Sequence, residues 1–175
     1  MAAGGVAGFV LSLPREDAMG EATNPIVELL RASIGQKLEG APPFTAWLDG
    51  RILSVGVGEI EMQFVVRPEM ANPTGLLHGG VQAAIIDDVF GMTAATLGEE
   101  GFRISVNLHI NFIGKVKVGD TVTARAKVLR NGRRITYAVC ELKDSAGNLV
   151  ARGDTNQLKT TFVPDYQKQI KDERS

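Results

Sequence analysis

The chain carries one cysteine, one tryptophan, two tyrosines and two histidines in 175 residues. Cys140 alone cannot close an internal disulfide, and with two scattered histidines it gives no metal-ligand spacing, so the composition suits a reducing compartment and calls for no cofactor. Charge of one sign is missing too. With 19 Lys plus Arg against 20 Asp plus Glu the net charge is −1, so no broad field exists to hold nucleic acid or an acidic membrane, although a local basic cluster stays open. No apolar run is long enough to span a bilayer, since the most hydrophobic stretch, Val81 to Leu97, contains Asp87 and Asp88. The opening MAAGGVAGFVLSLP has an apolar run but no basic n-region and is followed at once by Arg15, Glu16 and Asp17, so residues 1–23 read as a loose N-terminal extension, the alternative being a degenerate targeting segment. These absences predict a soluble, cytoplasmic protein with no nucleic-acid or membrane partner.

Glycine is in excess. Twenty residues exceed the roughly 7% average, and with neither a collagen period nor low complexity they mark turns, bulges or close backbone approaches. Asn24 and Pro25 open a helix whose apolar positions Ile26, Leu29, Leu30, Ile34 and Leu38 recur every three or four residues before Gly40. After Pro42-Pro43, Phe44 to Val55 and Glu59 to Val66 read as two strands. A loop, Glu69 to Leu77, leads into one long helix over Gly79 to Leu97, closed by Gly98. Four strands follow, Phe102 to Ile113, Thr121 to Arg130, Arg134 to Lys143 and Leu149 to Phe162, joined by turn sequences that suit hairpins. Hairpin-linked strands are antiparallel, and a mostly apolar helix between the second and third is buried only if the sheet curls around it. The expected architecture is α+β: a curled antiparallel sheet around a long central helix, with an extra N-terminal helix, in one domain over 24–163 and a polar tail over 164–175.

Asn72-Pro-Thr-Gly75-Leu-Leu-His78-Gly79-Gly80 places an amide, an imidazole and glycines at the mouth of the long helix. Unpaired N–H groups and the positive dipole end gather there and stabilise an anion or a developing oxyanion; the simpler alternative is a helix cap that only shapes a turn. Further along, Gly80, Ala83, Ala84, Asp87, Gly91 and Ala94 form a stripe of small residues holding one carboxylate. A charge buried in an apolar helix needs a partner or a chemical role, which marks Asp87. Asp88, about 100° around the helix beside the bulky stripe of Val81, Ile85, Val89 and Met92, is the competing acid. His78 and Asp87 are nine residues apart, about 13.5 Å of helical rise and a half-turn in direction. They cannot share a site within one chain, so if both act, the mouth of one subunit meets the Asp87 face of another in a symmetric dimer.

The pattern Asn72-x-x-Gly75-x-x-His78-Gly79-Gly80, then Asp87, then Ser105 on the next strand resembles the hotdog-fold acyl-CoA thioesterases of the phenylacetate-pathway (PaaI-like) branch, and the element order agrees from about Phe44 to Phe162. The resemblance implies a hotdog fold and hydrolysis of an acyl- or aryl-acyl-CoA by a homodimer or dimer of dimers. Carried over by position, Asp87 is the general base or nucleophile and Ser105 positions the water. The Gly79 amide polarises the thioester carbonyl across the dimer interface, while Asn72 and His78 orient the site. By alternation, Ser105 shares a strand face with Arg103, Asn107, His109 and Asn111, opposite Ile104, Val106, Leu108, Ile110 and Phe112. His109 has no implied role.

Coenzyme A carries phosphates, which Gly80, the Arg130, Arg133 and Arg134 cluster, or Lys115 and Lys117 could meet; the alternative is that these are ordinary solubility charges. Phe90 and Met92 face the same choice between acyl pocket and core. Three motifs are declined: Gly114-Lys115 lacks a phosphate-loop frame, Arg152-Gly153-Asp154 lies within a strand, and Asn72-Pro73-Thr74 has proline where glycosylation forbids it. The alternative functions are a non-catalytic acyl-CoA-binding module and a hydratase, the latter disfavoured by the absence of its His and acid spacing.

Overall fold

The computed structural model describes residues 24–165, 167 and 168; expectations for residues 1–23, including Gly4, Gly5 and Gly8, lie outside them. Helix α3, Gly79–Ala95, is the centre of the fold, and Ile85, Ile86, Val89, Phe90 and Thr93 are buried along it. Six strands surround it: β1 Arg51–Gly56, β2 Glu59–Val65, β3 Arg103–Phe112, β4 Thr121–Asn131, β5 Ile135–Asp144 and β6 Leu149–Lys159. They form one antiparallel sheet in the order β1-β2-β4-β5-β6-β3, which leaves β1 and β3 at the edges. The core lies between sheet and helix, where Ile52, Ile60, Met62, Phe64, Ala124, Ala126, Ala138, Cys140 and Leu142 meet the buried face of α3. The alternating apolar residues of β2 and β4 point inward, as the period-2 pattern requires.

Two expected elements differ. The first helix, α1, ends at Ala32 rather than running toward Gly40, because the chain turns at Ser33 and at Gly35, whose φ of +74° is a left-handed conformation. Asn24 caps it through Oδ1 to the Ile26 and Val27 amides and donates from Nδ2 to the Thr96 carbonyl, tying α1 to the end of α3. The segment read as the start of a strand at Phe44 is instead helix α2, Pro43–Leu48, and the strand begins only at Arg51. Pro43 occupies the first helical turn, where its fixed φ and missing N–H cost nothing. The three-residue step from Thr45 to Leu48 then turns the hydroxyl toward Asp88 and the leucine into the core. At the other end, Pro164 is buried and the Gln167 amide pairs with the Gly101 N–H at 3.0 Å and carbonyl at 3.2 Å, so packed chain continues past Val163.

Candidate active site

The mouth of α3 is built by the preceding loop. Asn72 Oδ1 accepts from the Thr74 N–H at 2.9 Å, the Thr74 hydroxyl at 2.7 Å and the Leu76 N–H at 3.2 Å, closing a tight turn in which Gly75 adopts φ +76°. Its side-chain oxygen is therefore spent on the loop, and only the amide nitrogen is left for a ligand. His78 caps the helix: its Nδ1 accepts from the Gly80 N–H at 2.9 Å, and a neutral ring that accepts there carries its proton on Nε2. That bond separates the two glycines. The Gly80 amide is taken by the cap, while the Gly79 N–H meets no acceptor among the described residues and lies at the helix's positive end. A β-carbon on Gly79 would touch the Phe112 ring at 3.4 Å, so the mouth abuts the far end of β3.

Asp87 lies at the near end. The Ser105 hydroxyl donates to Asp87 Oδ1 at 2.8 Å, joining the middle of α3 to the start of β3. Asp87 is exposed in the single chain, which corrects the expectation that it is the buried acid; the screened carboxyl is Asp88. Asp88 Oδ1 accepts from Thr45 Oγ1 at 2.7 Å and Oδ2 is buried without a partner among the described residues. Burial pushes the Asp88 carboxyl above its ordinary value, against a smaller lowering by the Thr45 bond and with a small further rise from Asp87. Desolvation thus holds Asp88 toward its neutral form as a packing group, and Asp87 is the acid that faces outward.

Strict alternation along β3 also fails, and the failure delivers Ser105 to Asp87. The pairing with β6 shifts between Ser105 and Asn107, a bulge at Val106, so Ser105 is opposite the buried Gln157 while Leu108 is opposite the buried Thr155. Ser105 therefore faces α3 with Arg103 before the bulge, and Leu108, Ile110 and Phe112 face it afterwards. Asn107, His109 and Asn111 belong to the outer surface, where His109 Nδ1 stands 3.4 Å from Asp154 Oδ1.

One mouth and its own Asp87 are held apart by two turns of an unbroken helix, as the spacing requires. The basic groups are divided too. Lys115 and Lys117 line a surface recess with Thr74, Leu76 and Asp120 beside the mouth. Arg130, Arg133 and Arg134 are at the β4–β5 hairpin, whose Arg134 carbonyl accepts from the Lys159 N–H at the end of β6, the register partner of Arg103 at the start of β3. Phe90 is fully buried core, while Met92 is half-buried. Three groups escaped sequence reasoning: Thr45, hidden in a segment that reads as strand; Gln157, one polar residue among several on β6; and the Arg103–Glu99–Lys159 cluster. In that cluster Lys159, then Asn131 and Arg103, pull the Glu99 carboxyl down to about 2. Among the described residues no three His, Cys, Asp or Glu side chains gather as metal ligands.

A family model described as the thioesterase superfamily matches residues 74–151, a span that contains His78, Gly79, Asp87 and Ser105. A Mycobacterium tuberculosis protein that carries the name of an esterase is 31% identical over 115 residues, 63% of this chain and 81% of that one. Human acyl-coenzyme A thioesterase 13 is 27% identical over 103 residues, 58% of this chain and 74% of its own. Among solved structures, a Ralstonia eutropha protein described as a thioesterase related to phenylacetic acid degradation superposes with a TM-score of 0.65 at 29% identity, covering 76% of this chain and 98% of that one. With the helix wrapped in its sheet and a motif-bearing mouth opposite an acid-bearing face, the chain belongs to the thioesterase superfamily, a hotdog-fold thioester hydrolase.

Proposed function

We propose that this chain hydrolyses an acyl- or aryl-acyl-CoA thioester to the free acid and CoA, with Asp87 as general base or nucleophile and the Gly79 amide of a partner subunit as oxyanion donor. The observation that carries the reading is the Ser105–Asp87 hydrogen bond, which fixes an outward-facing carboxylate between helix and strand. Hydrolysis of a thioester needs an activated attack at the carbonyl and a donor for the oxyanion. The thiolate leaves readily without an acid, so a carboxylate and an N–H at a helix mouth suffice without metal or cofactor. Asn72 and His78 act by shaping that mouth.

The reading calls for a homodimer, which the separation of Asp87 and Gly79 and the state of β3 support. This ten-residue edge strand pairs on one side only and exposes Val106 at 54% and Phe112 at 57%, a surface ready to pair with a second copy. Antiparallel pairing of two β3 strands sets the Ser105 end of one against the Phe112 end of the other, and so Asp87 against the partner's mouth. The same pairing brings the arginine hairpin of one subunit toward the mouth-side lysines of the other, where CoA phosphates would lie. A dimer of dimers is compatible with this arrangement. We place the enzyme in the cytoplasm, since a lone cysteine, Cys140, suits a reducing compartment; no helix among the described residues is long and apolar enough to cross a membrane.

A thiol-release assay on short, long and aromatic acyl-CoAs tests the reading. Asp87→Asn is expected to lower kcat by about 10²–10⁴, the range for loss of general-base catalysis, while Asp88→Asn keeps most of it. The opposite ranking overturns the choice of acid. Binding of CoA esters by a wild type that turns none over makes the protein an acyl-CoA-binding module.

A further inference from the structure

Gln157 stands on the inner face of β6, with Ser105 of β3 and Thr136 of β5 as its register partners. Its side chain is 1% exposed, and Oε1 is buried without a donor among the described residues. The adjacent hydroxyls are occupied elsewhere: Ser105 donates to Asp87, and Thr136 donates to Asn131 Oδ1 while accepting from Arg103 Nε. A buried carbonyl left without a donor is destabilising, whereas a methionine of similar volume would carry no such penalty. A bound water that donates a hydrogen would satisfy this orphan. Directly opposed residues of an antiparallel pair have β-carbons about 4.5–5.5 Å apart. Gln157 and Ser105 therefore stand side by side across the β3–β6 pair, and the Ser105 hydroxyl itself touches Asp87.

We propose that Gln157 Oε1 is a catalytic acceptor for the attacking water, a role that rests on the thioesterase reading above. Bound between the two groups, the water donates one hydrogen to Asp87 and the other to Gln157, leaving a lone pair aimed at the thioester carbon. A water with two such partners is oriented as well as held. As the oxygen–carbon bond forms, Asp87 takes the first proton and the carbonyl electron pair moves to the oxyanion at the partner's mouth. Collapse of that intermediate restores the carbonyl and expels the thiolate with the carbon–sulfur electron pair. The thiolate then recovers the proton from Asp87, and the hydrogen held by Gln157 leaves on the acid product. Gln157 is neither charged nor consumed.

The test compares wild type, Gln157→Met and Gln157→Glu as full-length proteins, by thiol release across the acyl-CoA panel and by thermal melting. Gln157→Met is expected to lower kcat by about tenfold or more, the loss of one ordinary hydrogen bond, with KM within about twofold and Tm unchanged or raised. Gln157→Glu, whose carboxyl keeps an acceptor in the same place, is expected to recover much of that loss under mildly acidic conditions. A Gln157→Met enzyme with kcat within about twofold of wild type overturns the role. So does a Gln157→Glu enzyme as impaired as Gln157→Met at every pH, because shape rather than the acceptor would then matter. A wild type inert on every thioester brings down the underlying thioesterase reading together with this role, whereas an active wild type matched by Gln157→Met removes this role alone.

Discussion

Asp87 and Asp88 are consecutive, yet about 100° around α3 separates an exposed carboxylate joined to Ser105 from one screened beneath Thr45. Because the folded chain raises the Asp88 pKa, it binds that proton more tightly than the unfolded chain does. Stability is therefore lost as pH rises from the unfolded carboxyl range through the raised folded value, and the deficit persists at neutral pH. Asp88→Asn, which keeps an acceptor for Thr45, is expected to raise Tm near pH 7 and to leave it nearly unchanged near pH 3, measured by melts across that interval. An equal gain at both ends would mean the charge is not the cause. At the mouth, Gly79→Pro isolates the amide. Proline is favoured in a first helical turn, and His78 before it already holds φ −61° and ψ 137°, the extended conformation a following proline demands. The variant removes one N–H and little else, so kcat should fall about 10²–10³, as for other lost oxyanion donors, with Tm preserved.

Among the elements, β3 shows how a single inserted residue decides chemistry. Without the bulge at Val106, alternation would put either Ser105 or Leu108 on the wrong face; with it, a hydroxyl reaches Asp87 and the apolar residues still fill the core. No residue type in the Ser105-Val106-Asn107 stretch announces that shift, because a bulge follows from the pairing partner rather than from local propensity. Helix α2 was illegible for a related reason: Phe44, Thr45 and Trp47 favour strands, and the helix is selected by the proline start and by burial of Leu48. The end of α3 is bound to the sheet by Glu99, which contacts Arg103 at 2.9 Å and Lys159 at 2.8 Å. Its depressed pKa means that this contribution is full above the unfolded carboxyl value and disappears as pH falls toward about 2. Glu99→Gln is expected to lower Tm at neutral pH by a few degrees, with the difference from wild type closing over that acidic range. A difference independent of pH would assign the effect to packing.

At the scale of the whole molecule, the proposed site draws its acid from one subunit and its oxyanion donor from the other. Mixing two inactive variants reads this out. An Asp87→Asn subunit retains a working mouth and a Gly79→Pro subunit retains a working acid, so half of the dimers refolded from an equal mixture are hybrids with one intact site of two. About a quarter of wild-type activity should return, and sedimentation should give a dimer or a multiple of it. No recovery, or an active monomer, would place both groups in one chain, against the rise of an unbroken α3.

The amino-acid sequence alone determined the long helix with its small-residue stripe, the hairpin-linked strands and the spacing that keeps His78 and Asp87 apart. Helical rise, strand alternation and glycine's freedom are local properties, and they are written where they act. Tertiary structure decided which acid is screened from water, which way Ser105 points and where Gln157 lies buried. Each of those depends on a group distant in the chain: Thr45 for Asp88, Asp87 for Ser105, and Ser105 opposite Gln157. Desolvation and register come into being only when those groups are brought together.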